Sequence, residues 1–141
     1  MSEIPSVGHV MTAFPHSIDL EQKVSEAREL MEVHGVRHLP VTSGRKLVGV
    51  ITDRDIGLAV GPDPIPEDQD LLVRALAIPD PYQVDFHAPL DHVLIEMADR
   101  HIGSALVTHH HRLAGIFTTT DACRLFGALL RSSRPEGNDA A

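Results

Sequence analysis

The chain has 141 residues, of which 43% are hydrophobic and 4% aromatic, and its formal net charge is −8. This length corresponds to one compact domain of about 100–200 residues, with enough apolar content for an ordinary core. The acidic balance and the scarcity of aromatic side chains argue against a nucleic-acid partner, which needs a basic surface and often aromatic stacking platforms.

The first half of the chain is predicted to contain a helix, two strands and a second helix, at residues 24–34, 39–41, 46–51 and 53–60. Val24, Ala27 and Met31 fall on one face of the first helix at helical spacing. The two β-prone runs are separated by Ser43-Gly44, a hairpin signal. The second helix is stopped by Gly61-Pro62.

The second half is predicted to follow the same order, with a helix at 90–100, strands at 105–108 and 113–118, and a helix from 119 to about 130. Residues 61–70 are rich in proline and acidic residues and are predicted to be a connector. The polar residues 132–141 are predicted to be a disordered tail. The predicted units are therefore repeat 1 (7–60) and repeat 2 (71–131).

The two halves align without a gap at an offset of 66 residues, which pairs Gly49 with Gly115 and Asp55 with Asp121. Apolar positions coincide along the same alignment, for example Met31 with Met97. Two copies of one unit indicate a pseudo-symmetric pair rather than a longer array.

The repeated motif is Gly-x-x-Thr-x-x-Asp, with Thr52 and Asp55 in the first copy and Thr118 and Asp121 in the second. One interpretation is structural: Thr-x-x-Asp matches a capping box, which stabilises a helix by about 1 kcal/mol and needs no ligand.

The other interpretation is a nucleoside site. A helix N-terminus favours a phosphate, an ionised Asp accepts hydrogen bonds from a sugar diol, and Gly49 allows a flat ring to approach the backbone.

The run Arg37-His38-Leu39-Pro40-Val41, followed by Leu47 to Asp55, closely resembles the cystathionine-β-synthase (CBS) domain. The resemblance covers about residues 7–130, as two CBS domains in tandem, called a Bateman module. It implies an α/β fold of two β-α-β-β-α repeats, with the sheets packed against each other and the helices outside. It also implies two clefts that bind adenosine-containing ligands such as AMP, ADP, ATP or S-adenosylmethionine, and a homodimer formed through helices.

Transferred to this sequence, the resemblance makes Asp55 and Asp121 ribose ligands, with Thr52 and Thr118 as their partners. Further candidate ligand-binding residues are Arg37, His38 and Arg54 for phosphate, Val50, Ile51, Ile116 and Phe117 beside adenine, and Tyr82, Val84 and Ser104. The second copy departs from the first, because Gly103 and Ser104 replace Arg37 and His38, and Thr119 and Thr120 replace Asp53 and Arg54. The two clefts are therefore expected to differ.

Histidines and the single cysteine provide weaker signals. His109 and His111 would share a face if they lay in one strand, which makes them metal-ligand candidates, although two ligands without a third favour a solvated turn. Cys123 is interpreted as a small buried residue of the last helix. A lone cysteine, no secretory signal and no apolar run of ~20 residues predict a cytoplasmic protein.

The sequence thus predicts a stand-alone, non-enzymatic regulatory module that needs no cofactor, senses an adenosine-containing ligand and signals its occupancy to an unidentified partner. The stripe at Val24, Ala27 and Met31 and the run 125–130 are the expected dimer contacts. The alternatives are a dimerisation scaffold without a ligand, in which the Thr-x-x-Asp motifs only cap helices, and a metal-responsive module. No nucleic acid or membrane partner is expected.

Overall fold

The computed structural model describes residues 3–13 and 15–134, and within them two four-stranded sheets and four helices confirm the predicted mixed α/β class. The helices are α1 (Val24–His34), α2 (Asp53–Val60), α3 (Leu90–Arg100) and α4 (Thr119–Ser132). The strands are β1 (Thr12–Ala13), β2 (Ile18–Asp19), β3 (His38–Ser43), β4 (Lys46–Thr52), β5 (Ile78–Pro79), β6 (Gln83–Asp85), β7 (Ser104–His109) and β8 (Arg112–Thr118).

Each repeat is built on an antiparallel hairpin, β3–β4 in the first repeat and β7–β8 in the second. Gly44 opens the first turn at φ 63°, a conformation that glycine adopts without strain. In the second turn His110 and His111 have φ of 52° and 65°, so His111 lies in the turn and not in a strand. The shared strand face that made His109 and His111 metal candidates is therefore absent.

The two sheets exchange their edge strands. Strand β1, which opens the first repeat in sequence, pairs with β8, so that Ala13 lies opposite Gly115. Strand β5, which opens the second repeat, pairs with β4, so that Pro79 lies opposite Gly49. The strand orders are β2-β3-β4-β5 and β1-β8-β7-β6. Residues that belong to one repeat by sequence thus complete the sheet of the other, and the predicted repeat boundaries stay a prediction.

The exchanged segments are also anchored at the starts of the long helices. Val24 N–H donates to Leu71 C=O at 2.8 Å, and Leu90 N–H donates to Pro5 C=O at 2.9 Å. A short 3₁₀ turn in each segment inserts a fully buried valine into the other repeat's core, Val73 into the first core and Val7 into the second. The two repeats are therefore interlocked through backbone and side-chain contacts.

The cores lie between each sheet and its helices, and a smaller cluster joins the two sheets. Val50, Leu106 and Ile116 form this third cluster, with Leu47 and Leu113 packed against it. The sheets therefore pack against each other as predicted. The first core contains Val24, Ala27 and Met31 among its buried members.

Three sequence interpretations are wrong in this fold. The stripe at Val24, Ala27 and Met31 is used by the chain's own core and cannot contact a second copy. Cys123 is exposed, because α4 buries none of its side chains fully. Gly49 accommodates strand β5 instead of a ligand ring, since a Cβ there would lie 2.7 Å from the carbonyl oxygen of Ile78. The tail predicted from residue 132 lies, beyond residue 134, outside the described residues.

Candidate functional site

The Thr-x-x-Asp motif of the first repeat begins α2 and leaves one carboxylate oxygen unused. Thr52 Oγ1 accepts from Asp55 N–H at 3.1 Å and donates to Asp55 Oδ2 at 2.9 Å. Within residues 3–13 and 15–134, Asp55 Oδ1 has no hydrogen-bond partner. Thr52 therefore caps the helix and holds one oxygen of the Asp55 carboxylate, and the other oxygen is available to a donor.

The equivalent motif of the second repeat uses its carboxylate more fully. Asp121 Oδ2 accepts from Thr118 N–H at 2.9 Å and from Thr118 Oγ1–H at 3.0 Å, which completes a capping box. Arg124 Nη1 lies 3.9 Å from Asp121 Oδ1. Both oxygens of Asp121 thus have a neighbour of the complementary kind within the chain.

A cleft of about 720 Å³ lies between the repeats on the side of Asp55. Most of the residues that the sequence predicted for a ligand line this cleft, namely Arg37, His38, Val50, Thr52, Arg54, Asp55, Tyr82 and Ser104. The volume falls within the range of about 300–1,000 Å³ that small-molecule sites usually have. Hydroxyl, carboxylate, guanidinium and apolar groups therefore face one space.

The cleft also contains residues that sequence reasoning missed. Ile78, Asp80 and Pro81 come from strand β5 and the turn that follows it, and Arg100 and His101 come from the end of α3. Ile78, Asp80 and Pro81 reach the cleft because β5 crosses to the first sheet, and no local sequence signal marks that exchange.

The remaining predicted ligand residues lie elsewhere. Ile51 and Phe117 are fully buried in the cores, because alternate strand residues face opposite ways and their neighbours Val50 and Ile116 face the other sheet. Val84 packs against the second core, and Ile116 lies in the cluster between the sheets. Thr118 and Asp121 occupy the pseudo-symmetric position and do not line the cleft beside Asp55.

His38 lies at the boundary between the two repeats. A Cβ at Gly103 would lie 3.0 Å from His38 Nε2, so the imidazole uses the space left by the missing side chain. Burial lowers the pKa of His38 below its ordinary value of 6.5, a shift that Asp53 opposes, Arg37 reinforces and Asp55 opposes. His38 therefore favours the neutral form at neutral pH, in which its ring both donates and accepts a hydrogen bond.

Tyr82 and Arg100 form one rim of the cleft. The Arg100 guanidinium carbon lies 4.7 Å from the centre of the Tyr82 ring, a cation–π geometry. Partial burial raises the pKa of the Tyr82 phenol, Glu96 acts in the same direction and Arg100 opposes both. Tyr82 is thus a neutral hydrogen-bond donor over the physiological range.

Two further cations in the cleft have no counter-ion. The guanidinium groups of Arg37 and Arg54 make neither an ion pair nor a hydrogen bond with any residue in the described part of the chain. Among the same residues, no group of three or more His, Cys, Asp or Glu side chains could hold a metal ion. The cleft accordingly offers charged donors to a polar organic ligand and no metal cage within residues 3–13 and 15–134.

Comparison with known proteins assigns the repeat. The family model described as "CBS domain" matches residues 7–60 and again residues 73–128. The hypoxic response protein 1 of Mycobacterium tuberculosis is 31% identical over 119 residues, which cover 82% of this chain and 80% of that protein. No helix in the described residues is long and apolar enough to cross a membrane.

Two enzymes share part of their sequence with this chain. An inosine-5′-monophosphate dehydrogenase of Korarchaeum cryptofilum is 43% identical over 68 residues, 48% of this chain. An L-aspartate semialdehyde sulfurtransferase of Methanocaldococcus jannaschii is 29% identical over 128 residues, 89% of this chain. The matched region spans only 13% and 24% of the length of these two enzymes.

Solved structures resemble the whole module. The CBS domain pair of protein MJ0100, in complex with 5′-methylthioadenosine and S-adenosyl-L-methionine, superposes with a TM-score of 0.79 at 27% identity, covering 90% of this chain and 99% of that one. CBSX2 in complex with AMP superposes with a TM-score of 0.71 at 25% identity, covering 92% of this chain and 99% of that one. Hypoxic response protein I with two coordinated zinc ions gives 0.69 at 30% identity, with 84% and 97% covered.

Proposed function

Because the chain belongs to the CBS domain family, as a tandem pair of these domains, we propose that it is a regulatory module that binds an adenosine-containing ligand. The ligand lies in the cleft between the repeats, and its occupancy is passed to a partner protein. The module performs no chemical reaction of its own and needs no cofactor. Adenosine ligands in the structures of MJ0100 and CBSX2 support the ligand class.

The unused Oδ1 atom of Asp55 is the observation that carries this proposal. A ribose diol offers two hydroxyl donors, and an ionised carboxylate is an acceptor only. Thr52 Oγ1 already donates to the other oxygen, which fixes the carboxylate in the cleft. Val50 and Ile78 provide apolar surface in the same cleft for a flat base, and neutral His38 provides a further polar contact.

Signalling follows from the position of the cleft between the repeats. A ligand that touches Asp55 in the first repeat and Ser104 in the second contacts both units at once. Its binding shifts their relative packing only if its affinity differs between two arrangements of the repeats. The exchanged strand β5 connects the two units and lies beside the cleft, so it is the element expected to move.

A second copy of the chain is proposed as one partner, through α4. Leu125, Phe126, Leu129 and Leu130 are 38%, 61%, 49% and 55% exposed. An almost wholly apolar groove of about 360 Å³ lies between the first three of these side chains and residues 4, 5 and 10. Burying this surface in a homodimer would remove apolar area from water, which contributes about 25 cal/mol per Å². A cytoplasmic location is part of the proposal, since one unpaired cysteine suits a reducing compartment.

The scaffold without a ligand remains the second candidate, because both Thr-x-x-Asp motifs do cap helices. The metal-responsive alternative is supported by the zinc ions of hypoxic response protein I, but no group of three candidate ligands lies within residues 3–13 and 15–134.

Calorimetric titration of nucleotide-stripped protein with AMP, ATP, 5′-methylthioadenosine and S-adenosylmethionine tests the proposal. Saturable binding is expected for at least one ligand, and Asp55→Ala should weaken it by about 10- to 100-fold, since a hydrogen bond to a charged group contributes about 1.5–3 kcal/mol. Arg45→Ala, in the turn at the far end of the β3–β4 hairpin, is the matched control and should bind normally. Absence of heat at millimolar ligand would favour the scaffold.

A further inference from the structure

The imidazole of His38 reaches across the boundary between the repeats and lies against the backbone of Gly103. His38 is the first residue of β3, and Gly103 directly precedes β7. A Cβ at Gly103 would lie 3.0 Å from His38 Nε2 and 3.4 Å from His38 Cε1. Gly103 is not among the residues with positive φ, so its backbone conformation does not require glycine. The space that the ring occupies is therefore the feature that excludes a side chain at position 103.

This contact joins the starts of two helices that belong to different repeats. Asp53 N–H, at the start of α2, donates to Arg37 C=O at 3.0 Å. Thr119 N–H, at the start of α4, donates to Gly103 C=O at 3.0 Å. Because His38 directly follows Arg37, a movement of its ring relative to Gly103 changes how the two helix starts are held together.

The pseudo-symmetric pair of positions carries no group that titrates near neutral pH. The 66-residue offset places Ser104 at the position of His38 and Arg37 at the position of Gly103. A serine hydroxyl stays neutral and an arginine guanidinium keeps its charge throughout the physiological range. Imidazole is the side chain whose charge changes between about pH 5 and 8. A pH response at this boundary is therefore confined to the His38 side.

Charged and titratable groups from both walls of the cleft face the ring of His38. Among the described residues, the first repeat contributes Arg37, Asp53, Arg54 and Asp55, and the opposite wall contributes Asp80, Tyr82, Arg100 and His101. The three arginines and three aspartates of this set cancel in formal charge. Burial is accordingly the largest influence on the ring and lowers the pKa of His38 below 6.5, a shift that Asp53 opposes, Arg37 reinforces and Asp55 opposes.

We propose that the contact between His38 and Gly103 is a pH-sensitive latch between the repeats, which the neutral imidazole closes and its protonation opens. A protonated ring needs water or a carboxylate, and Asp53 and Asp55 attract it towards the first repeat and away from Gly103. Protons bind more tightly to the open arrangement, where the ring is solvated, so acid favours that arrangement. The latch is closed above pH 6.5 and opens as the pH falls below this value. It requires no ligand and so goes beyond the proposed function.

A pH titration of the ligand-free protein by NMR tests the latch directly. The Cε1 proton of His38 is identified by its absence from the spectrum of His38→Gln, and its titration midpoint should lie below 6.5. Above the midpoint this proton should show a nuclear Overhauser contact with the α protons of Gly103, since Cε1 lies 3.4 Å from the Cβ position there. The contact should be lost below the midpoint. The amide signal of Gly103 should shift with the same midpoint.

Four variants assign these signals to the latch. Gly103→Ala should crowd the ring into solvent and move the His38 midpoint back towards 6.5, whereas Gly127→Ala, in α4 with open space around it, is the matched control and should not. His38→Gln should abolish the pH-dependent shift of the Gly103 amide. His101→Asn should preserve that shift and so exclude the nearest other imidazole in the cleft, and asparagine tolerates the φ of 54° at this position.

Three results would each refute the latch. A His38 midpoint at or above 6.5 would show that the ring is not confined against Gly103. An Overhauser contact that survives protonation would show that the charged ring leaves the contact closed. A shift of the Gly103 amide that persists in His38→Gln would belong to another group. If Gly103→Ala fails to fold, the wild-type titration and the two histidine variants still decide. No ligand is added, so none of these results depends on the proposed function.

Discussion

Gly49 and Gly115 allow the exchanged strands to approach the hairpins, and replacing each with alanine separates stability from binding. A Cβ at Gly49 would lie 2.7 Å from the Ile78 carbonyl oxygen, where carbon and oxygen normally stay about 3.3 Å or more apart. Strand β5 must therefore move by about 0.6 Å. A Cβ at Gly115 would meet the Met11 sulfur and lie 2.8 Å from the Thr12 carbonyl oxygen, which displaces β1.

The two substitutions should have similar effects on stability and different effects on binding. Overpacking of this kind costs about 1–3 kcal/mol of unfolding free energy. Strand β5 leads directly into Asp80 and Tyr82 of the cleft, so Gly49→Ala should also weaken AMP by about tenfold, the order expected when a site loses its supporting geometry. Strand β1 lies at the edge of the other sheet, so Gly115→Ala should leave the affinity for AMP within twofold of the wild-type value.

Urea unfolding and calorimetric titration measure the two effects on the same protein samples. Titrations are made well below the unfolding midpoint, so that unfolded protein does not reduce the apparent affinity. Wild-type stability and affinity in Gly49→Ala would refute the register in which Pro79 lies opposite Gly49. Equal loss of AMP affinity in both variants would show that the effect is general destabilisation and does not arise from the wall of the cleft.

Three further substitutions test other features. Val7→Ala, in a fully buried position, should lower the unfolding free energy measured in urea by about 2–3 kcal/mol. Val33→Ala, at a side chain that is 68% exposed, is the control and should change it by less than about 0.5 kcal/mol. Equal effects of the two substitutions would contradict the packing of Val7 into the core of the second repeat. Because burial depresses the pKa of His38, the imidazole takes up a proton at higher pH in the unfolded chain than in the folded one, and the folded state loses stability as the pH falls below 6.5. His38→Gln should therefore flatten the change in urea midpoint between pH 7.5 and 5.5, and an unchanged slope would refute the role of His38. Phe126→Asp, on the exposed face of α4, should shift a dimer to monomer in sedimentation without lowering AMP affinity per chain, and an unaltered sedimentation profile would exclude this face as the interface.

The helices and hairpins could be predicted because their signals are local. The apolar stripe of α1 and Gly35, which is the αL cap at φ 64°, fix that helix from residues that are close in sequence. The exchanged strands β1 and β5 have two residues each, and their partners are set by tertiary geometry that no short pattern encodes. The predicted role of Gly49 is therefore wrong, since its close neighbour is Ile78 and not a ligand ring.

The residues of the candidate site that lie on the motif itself could also be predicted, whereas those from other elements could not. Thr52, Asp55 and Arg54 are identifiable because the motif places them within one turn of one helix start. Arg100 and Asp80 could not be found, since they reach the cleft from α3 and from the turn after β5. The alternation of β4 excludes Ile51 from the cleft and admits Val50, but the sequence does not say which face of the strand meets the other sheet.

A Thr-x-x-Asp motif can cap a helix and still leave a carboxylate oxygen for a ligand, as a comparison of the two repeats shows. In both copies one oxygen of the aspartate accepts from the threonine hydroxyl, so the helix start is stabilised whether or not a ligand is present. The second oxygen differs between the two copies, because at Asp121 it lies 3.9 Å from Arg124 Nη1 and at Asp55 it has no partner among the described residues. Under the proposed function, the hydrogen bond from Thr52 Oγ1 would hold the Asp55 carboxylate in place before a ribose diol binds.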